Sequence, residues 1–377
     1  MKKHALPILA GLMAVLAVVA VLFLCTHGSM LPEKKTEYYE QKAKMEAETA
    51  TAAQAELMAL LLGSAPAAPA ETETAPASFA FRTSAFSRFL AAALGLLLLL
   101  FLVYCIRHQK EIKGLLWFLI LAVPLGLFFA RLVYCLTDIA FYLRDIQSPL
   151  AMLNVWEGGL SMMGALAGIT LAGVLGAKIA GEKPLDVLNR GALLWLAFPM
   201  AVAAANSHAR AGWGPELALP LLSVPVNDQG RLDTALLTAL VLGILLLVLA
   251  NRHSKGKLPK NRLFLYAAFL FGCLMVPLES LRRDGHMVWG FVHAEMLYAM
   301  LIFFPAAMAL VSKKRRIPLL AATVLLAGCI IGLEFMLDRS GISDLLLYIV
   351  YILCVAAYIF VGLKWANTTC EQAKNNV

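Results

Sequence analysis

Apolar stretches about as long as a membrane is thick recur along the whole chain, and they constrain its fold more than any other feature. A helix needs about 20 apolar residues to cross the roughly 30 Å hydrocarbon layer of a bilayer. With 61% hydrophobic and only 15% charged residues, one soluble domain around an ordinary core is excluded. The sequence therefore predicts an all-α polytopic membrane helix bundle. About ten transmembrane helices are expected, near residues 5–25, 86–106, 115–136, 159–181, 187–206, 235–250, 263–278, 293–311, 318–336 and 345–365.

Lysine and arginine residues gather between alternate stretches, which predicts how the bundle is oriented. In a ten-helix arrangement all the basic clusters fall on one side, and Lys and Arg are enriched in cytoplasmic loops. Both termini should then be cytoplasmic. The net charge of +8 follows from this topology and does not call for nucleic acid as a partner. The clusters lie at Lys2–Lys3, Arg107–Lys113, Lys178–Lys183, Asn251–Arg262 and Lys313–Arg316.

Composition divides the chain into four parts. Residues 1–30 are expected to form an uncleaved N-terminal membrane anchor, because the apolar run is longer than that of a usual signal peptide. Residues 31–85 are polar, and predict an extracytoplasmic helix followed by a disordered tether rich in Ala, Pro, Thr and Glu. Residues 86–311 contain seven of the stretches. Residues 312–377 contain two more and a cytoplasmic tail.

The seven cysteines lie mostly inside or at the ends of the predicted helices, with no CxxC pair and no His/Cys spacing typical of a metal site. A free cysteine inside a helix bundle behaves as a small apolar residue. Neither a disulfide framework nor a metal site is therefore expected. We expect no cofactor.

Polar residues collect at those helix ends that face away from the basic clusters. Ionisable groups at such positions usually face protein, water or a ligand. Arginine can bind a phosphate through two parallel hydrogen bonds, while carboxylates and amides can orient the guanidinium or bind hydroxyl groups. The pattern therefore suggests a site for the headgroup of an anionic lipid. The residues are Arg131 and Tyr134 after the third stretch, Glu157 before the fourth, Asn206 and Arg210 after the fifth, and Glu279 and Arg282 after the seventh.

The Glu279–Arg282 pair and the glycines of the fourth apolar stretch also have simpler explanations. Glu279 and Arg282 are three residues apart, so they could merely pair across one exposed helix turn. Gly164 and Gly168 form a small-xxx-small pattern that allows two helices to approach closely. Packing does not explain why a carboxylate stands at a helix entrance in Glu157-Gly158-Gly159-Leu160-Ser161, so we assign this stretch to the site.

Several motifs, in matching order and spacing, resemble the prolipoprotein diacylglyceryl transferase family over about residues 86–311. Ala130–Tyr134 is similar to its Gly-Arg-x-x-Tyr, and Val155–Ser161 is similar to its V-W-(D/E/Q)-G-G-(M/L)-(S/A) motif. Asn206 with Trp213-Gly214 follows, and Glu279–Arg282 resembles its E-x-x-R. The resemblance implies a seven-helix core. The anchor, the tether and the last two helices lie outside it.

The resemblance also implies a reaction. The family moves a diacylglyceryl group from phosphatidylglycerol to the lipobox cysteine thiol of a preprolipoprotein, at the outer face of the bacterial cytoplasmic membrane. A phosphatidylglycerol-like phospholipid and preprolipoprotein signal peptides would then be the partners. Arg282, Glu279 and Asn206 become candidate catalytic residues. The candidate substrate-binding residues are Arg131, Tyr134, Glu157, Gly158, Gly159, Ser161 and Arg210.

Three positions depart from the family pattern. Met163 stands where the family usually has a histidine, and Met275 and Ala203 stand where it usually has arginines. Methionine cannot transfer a proton, and each lost group of this kind commonly costs a factor of about 10² or more in rate. Two hypotheses therefore stay open: a divergent transferase, and a non-catalytic scaffold of the same fold that binds anionic lipid and recruits an outer partner through residues 31–85. A transporter is a third and weaker choice, because no inverted repeat is evident.

Overall fold

In the computed structural model of the chain, the described residues form a bundle of α-helices. The first predicted helix, apart from Leu12, Val15 and Val18, and the segment before residue 85 lie outside the described residues, as do Glu157 and Gly158. Besides those three residues and Met152, the structure describes residues 85–107, 112–145, 159–217, 221–226, 229–259, 261–284, 287–289, 292–339 and 342–375.

Nine α-helices account for most of this described part. Seven segments are long and apolar enough to cross a membrane, and two shorter apolar helices, Arg88–Leu99 and Ala294–Leu310, join them. The prediction of an all-α polytopic membrane bundle is thus confirmed. The helices are α1 Ala85–Arg107, α2 Lys113–Thr137, α3 Met162–Ala180, α4 Pro184–His208, α5 Thr234–Ser254, α6 Leu263–Ser280, α7 Ala294–Leu310, α8 Arg316–Arg339 and α9 Asp344–Asn375.

Helix boundaries follow from capping residues in the sequence. The predicted fourth stretch begins at residue 159, but α3 begins three residues later because the Ser161 hydroxyl accepts a hydrogen bond from Gly164 N and caps the helix. Gly181, at φ 73°, ends the same helix in the left-handed conformation. Pro184 opens α4, and the Asp233 carboxylate caps α5 by accepting from Leu236 N.

Two small sheets occupy connections between the helices, and the sequence did not predict them. Between α4 and α5 lie β1 Trp213–Glu216, β2 Ser223–Val226 and β3 Gln229–Asp233, antiparallel in the order β1-β3-β2. A two-stranded sheet, β4 Val288–Trp289 and β5 Val292–His293, lies between α6 and α7. The strands have five residues or fewer, and β1 contains Gly and Pro, which are depleted in strands. Pairing nevertheless satisfies their backbone groups.

Glycines bring α2 and α3 into close contact. A β-carbon at Gly164 would lie 2.5 Å from Phe129 O, one at Gly176 would lie 2.6 Å from Phe118 N, and one at Gly168 would meet Leu125 O. The small-xxx-small interpretation of Gly164 and Gly168 is confirmed. The close approach also lets Ser161 N donate to Ala130 O at 3.0 Å, which holds the start of α3 against α2.

Successive helices run in alternate directions, so the end of α2, the start of α3, the end of α4, the start of α5, the end of α6 and the start of α7 share one end of the bundle. We call it the polar end. The described basic clusters lie at the opposite end. These are Lys113 at the start of α2, Lys178 and Lys183 around the α3–α4 turn, Arg252 in the last turn of α5, Arg262 before α6 and Lys313–Arg316 after α7.

The last two helices pack on the seven described before them. Tyr351 of α9 is fully buried, and Tyr358 lies against the rings of Phe269 in α6 and Phe303 in α7, with centroids 6.0 and 5.6 Å apart. Tyr348 donates from its hydroxyl to Ser280 O at 3.1 Å. The C-terminal helices therefore reach the polar end of α6.

We predict that Gly168→Val lowers the thermal stability of the purified protein in detergent. The added side chain would meet the α2 backbone, and overpacking of this kind typically costs about 1–3 kcal/mol. The matched control is Gly328→Val in α8, where no described atom lies within 4 Å of the new β-carbon. Equal melting temperatures for the two variants would contradict the close helix contact.

Candidate functional site

A small polar cavity lies at the polar end, where the ends of α3, α4, α5, α6 and α7 meet. Its volume is about 30 Å³, which is room for about one water molecule. The three residues predicted as catalytic, Asn206, Glu279 and Arg282, all line it. The lining is formed by Met162, Val202, Ala203, Asn206, Gly212, Ala235, Thr238, Glu279, Arg282 and Glu295.

Arg282 is held in place by two carboxylates. Its Nη1 donates to Glu279 Oε2 at 3.2 Å, and its Nη2 donates to Asp284 Oδ2 at 2.6 Å. Although burial opposes the charge, Glu279 and Asp284 raise the pKa of Arg282, which stays protonated. The alternative of an exposed pair across one helix turn does not hold, because the residues form a largely buried three-residue cluster, whose disruption costs more than that of a surface pair.

Two polar atoms of cavity-lining residues have no hydrogen-bond partner within the described structure. They are Arg282 Nε, a donor, and Asn206 Oδ1, an acceptor, and both atoms are buried. Buried polar atoms are normally paired, because an unpaired one costs about 1–3 kcal/mol. A ligand with an anionic oxygen and a hydroxyl group would satisfy both.

Glu295 is a cavity-lining residue that the sequence analysis did not select. It is 2% exposed, at the start of α7. Its Oε1 accepts from the Ser161 hydroxyl at 2.8 Å, and its Oε2 accepts from Met163 N at 3.3 Å. A lone carboxylate at the entrance of an apolar run is the same signal that drew attention to Glu157, and it could have identified Glu295.

Arg131 lies in a second group of residues, beside the cavity, and its guanidinium donates hydrogen bonds to backbone carbonyl groups. Its Nε donates to Met152 O at 2.9 Å and its Nη1 donates to Gly159 O at 3.2 Å. The guanidinium also lies 5.9 and 5.5 Å from the ring centroids of Tyr134 and Tyr142, within cation–π range. These contacts hold Arg131 against the backbone at Met152 and Gly159. A role for Arg131 in binding phosphate stays a prediction.

Gly159 requires its glycine for two reasons. Its φ of 68° lies in the left-handed region, which side chains other than glycine rarely adopt. A β-carbon there would also meet the ring of Tyr134 and lie 2.9 Å from Arg131 Nη1. The motif glycine thus packs against the motif arginine and tyrosine, and the three predicted substrate-binding residues form one contact group.

Ser161 connects the two groups. It is fully buried; its amide bonds to Ala130 in α2, and its hydroxyl both caps α3 and donates to Glu295 across the bundle. The contact group that contains Gly159 and Arg131 is therefore connected to the cavity through one side chain.

Other predicted site residues are placed differently. Arg210 is exposed in the turn after α4, at φ 59°, and it is not among the described residues that line the cavity. Asn206 and Glu279 belong to the last turns of α4 and α6 rather than to the loops that follow. Glu157 and Gly158 lie outside the described residues, so their roles stay predictions.

The three departures from the family pattern have different surroundings. Ala203 lines the cavity, so an arginine missing there leaves the cavity with less positive charge. Met163 is buried, with its backbone amide on Glu295. Met275 is fully buried in the apolar core.

Comparisons with known proteins agree with the motifs. The chain matches the family described as prolipoprotein diacylglyceryl transferase over residues 78–312, more than half of its length. It is 27% identical over 188 residues to a phosphatidylglycerol–prolipoprotein diacylglyceryl transferase of Teredinibacter turnerae, covering 48% of this chain and 62% of the relative. A protein of the same name from Listeria innocua is 24% identical over 226 residues, covering 56% and 79%. One from Bacillus cereus is 36% identical over 62 residues, covering 16% and 22%.

We predict that Ser161→Ala destabilises the protein by about 2 kcal/mol or more, because it removes a helix cap and leaves buried Glu295 without one donor. Thermal unfolding in detergent measures the effect. The control is Ser254→Ala, whose exposed hydroxyl bonds to Asn251 O near the end of α5. If both variants unfold at the same temperature, the Ser161–Glu295 connection does not stabilise the bundle.

Proposed function

The chain belongs to the prolipoprotein diacylglyceryl transferase family, and from this premise we propose that it binds phosphatidylglycerol, or a closely similar anionic phospholipid, at the cavity. We further propose that it transfers the diacylglyceryl group to the thiol of a lipobox cysteine. The alignment covers less than two thirds of the Teredinibacter turnerae and Bacillus cereus relatives, so activity, substrate and acceptor are all part of this proposal.

One observation carries the proposal: a buried donor and a buried acceptor, both without a partner among the described residues, belong to residues of the same cavity. A phosphatidylglycerol headgroup has phosphate oxygens that can accept from Arg282 Nε, and glycerol hydroxyls that can donate to Asn206 Oδ1. Folding has already removed both of these polar atoms from water, at a cost in free energy. Lipid binding would give each of them a hydrogen-bond partner. Glu279 and Asp284 would keep the guanidinium in one orientation.

The charges indicate how the headgroup would be recognised. Glu279 and Asp284 together carry one more negative charge than Arg282 balances, so the residue offers a directed N–H group and not a net positive charge. Specificity would then come from the hydrogen-bonding geometry of the headgroup. A lipid with an anionic phosphate but no glycerol hydroxyls would leave Asn206 Oδ1 unpaired, at a cost of about 1–3 kcal/mol.

The size of the cavity adds a requirement. The enclosed part of the cavity has room for about one water molecule, and we propose that lining side chains move when the headgroup enters. The described connections next to the cavity are short strands and turns. Arg283 N donates to Trp213 O at 2.9 Å, so β1 lies against the turn that carries Arg282 and could move with it.

The location of the cavity favours chemistry outside the cytoplasm. It lies at the polar end, and the described basic clusters lie at the other end. If those clusters are cytoplasmic, as the distribution of Lys and Arg in membrane proteins predicts, the cavity faces the outer leaflet of a bacterial cytoplasmic membrane.

A non-catalytic lipid-binding protein of the same fold is the second candidate, and Ala203 favours it. The cavity offers an alanine where the family resemblance implies an arginine, and one fewer guanidinium would leave less stabilisation for a departing phosphate. Thiol lipidation by the full chain in phosphatidylglycerol proteoliposomes, with a lipobox peptide as acceptor, separates the two. Lipid binding without any lipidation would leave the second candidate.

We predict that Arg282→Lys weakens phosphatidylglycerol binding about 10- to 100-fold, since lysine can keep a positive charge near the carboxylates but cannot reproduce the Nε–H donor. Asn206→Ala should weaken binding about three- to tenfold. Titration of the lipid into detergent-purified protein measures both.

Arg283→Lys and Asn251→Ala are the matched controls, because Arg283 bonds to the Tyr348 hydroxyl at an exposed position and Asn251 lies at the opposite end of α5. Binding in the two site variants that equals binding in these controls would refute the assignment of the headgroup to the cavity.

A further inference from the structure

We propose that Glu295 is the proton acceptor for the acceptor thiol, in place of the histidine that the resemblance implies at Met163. This inference rests on the proposed transferase function and adds a catalytic residue to it. The observation behind it is a juxtaposition: the buried carboxylate of Glu295 lies on the backbone amide of Met163 and lines the same cavity as Arg282.

Two other carboxylates near the cavity, among the residues that the structure describes, are already engaged. Glu279 and Asp284 each form an ion pair with Arg282, and drawing a proton to either would weaken that cluster. The hydrogen-bond partners of Glu295 within the described structure are the Ser161 hydroxyl and the Met163 amide. A carboxylate has about four lone-pair positions, so two acceptor positions are left for a thiol.

The surroundings of Glu295 suit a group that holds a proton only briefly. Ser161 and Met163 fix its orientation, so little reorganisation accompanies proton transfer. Arg282 and Glu279 are near enough to interact electrostatically with it. Burial and the neighbouring carboxylate favour its protonated form, whereas the guanidinium and the two hydrogen bonds favour the ionised form.

The proposed step balances as follows. The Glu295 carboxylate takes the thiol proton, and the sulfur forms a bond to the glyceryl carbon that carries the phosphate ester. The bond between that carbon and the ester oxygen breaks, and its electron pair stays on the oxygen of the departing glycerol phosphate, beside Arg282 Nε. The proton then passes from Glu295 to the glycerol phosphate. No oxidant, reductant or metal takes part.

Glu295→Gln tests the proposal, because glutamine has nearly the same shape and can keep the hydrogen bond from Ser161. Its NH2 group replaces the oxygen that accepts from Met163 N at 3.3 Å, so we expect a small loss of thermal stability. We expect the variant to keep its affinity for phosphatidylglycerol but to lose about 10²-fold or more in the rate of thiol lipidation at pH 7. The assay uses the full chain in phosphatidylglycerol proteoliposomes with a lipobox peptide. Glu216→Gln, exposed on β1, is the matched control.

Alkaline rescue gives a second readout that a merely structural role would not move. A free cysteine thiol ionises near pH 8.5, so raising the pH to about 9 supplies thiolate without a protein base. At about pH 9 the lipidation rate of the Glu295→Gln variant should therefore come closer to that of the wild-type protein. Glu279 and Arg282 are the same in both proteins, so the comparison concerns Glu295 alone.

The outcomes separate the two proposals. A Glu295→Gln variant as fast as the control at pH 7, in a wild-type background that lipidates the peptide, overturns the role of Glu295 and leaves the transferase proposal standing. A slow variant without alkaline recovery also overturns it, because the defect is then not in deprotonation. A wild-type protein that binds the lipid but never lipidates the peptide overturns both.

Discussion

The hydrogen bond from the Ser161 hydroxyl to Glu295 is the interaction on which the arrangement of the polar end depends. Ser161 caps α3, bonds through its amide to α2, and reaches across to the start of α7. The bond is fully buried, and an unmet carboxylate in that position would be expensive. It therefore fixes the distance between the Arg131 group and the cavity, and it orients the carboxylate that faces Arg282.

The ion cluster on the other side of the cavity has a complementary role. Glu279 and Asp284 accept from the two Nη atoms of Arg282, and its Nε–H has no partner among the described residues. A guanidinium with all of its donors engaged would be purely structural, and a free one would change its conformation when a ligand arrives. An arginine held by two carboxylates with a donor to spare is preorganised for an oxygen ligand. The same logic applies to Asn206, whose buried Oδ1 has no partner in the part of the chain that the structure describes.

Much of this could be predicted from the sequence, because its signals are local. Apolar length fixed the helices to within a few residues, except that α9 continues ten residues beyond its predicted end at residue 365. The spacing of Gly164 and Gly168 predicted a close contact between helices, without identifying α2 as the partner, and Glu279 with Arg282 predicted a pair. The convergence of Asn206, Glu279 and Arg282 followed from alternating helix directions. Contacts between residues far apart in the chain, such as Ser161 with Glu295 or Arg131 with Gly159 O, leave no pattern in a single sequence.

The unpredicted sheets show the same limit. Strands as short as β1, with Gly and Pro, form because their backbone groups find partners in β3, and pairing of this kind depends on tertiary context. The placement of Arg131 shows this limit as well. Its local motif suggested that it binds phosphate, whereas its observed contacts are with the backbone at Met152 and Gly159. Motifs locate a site, but the assignment of each side chain needs geometry.

The central claim is that a glycerophosphate headgroup occupies the cavity between Arg282 and Asn206. The most direct measurement is an experimental structure of the full chain in nanodiscs containing phosphatidylglycerol. The account predicts a phosphate oxygen within hydrogen-bonding distance of Arg282 Nε and a glycerol hydroxyl on Asn206 Oδ1. A headgroup bound elsewhere on the bundle, with the cavity still closed around Glu279 and Glu295, would contradict it.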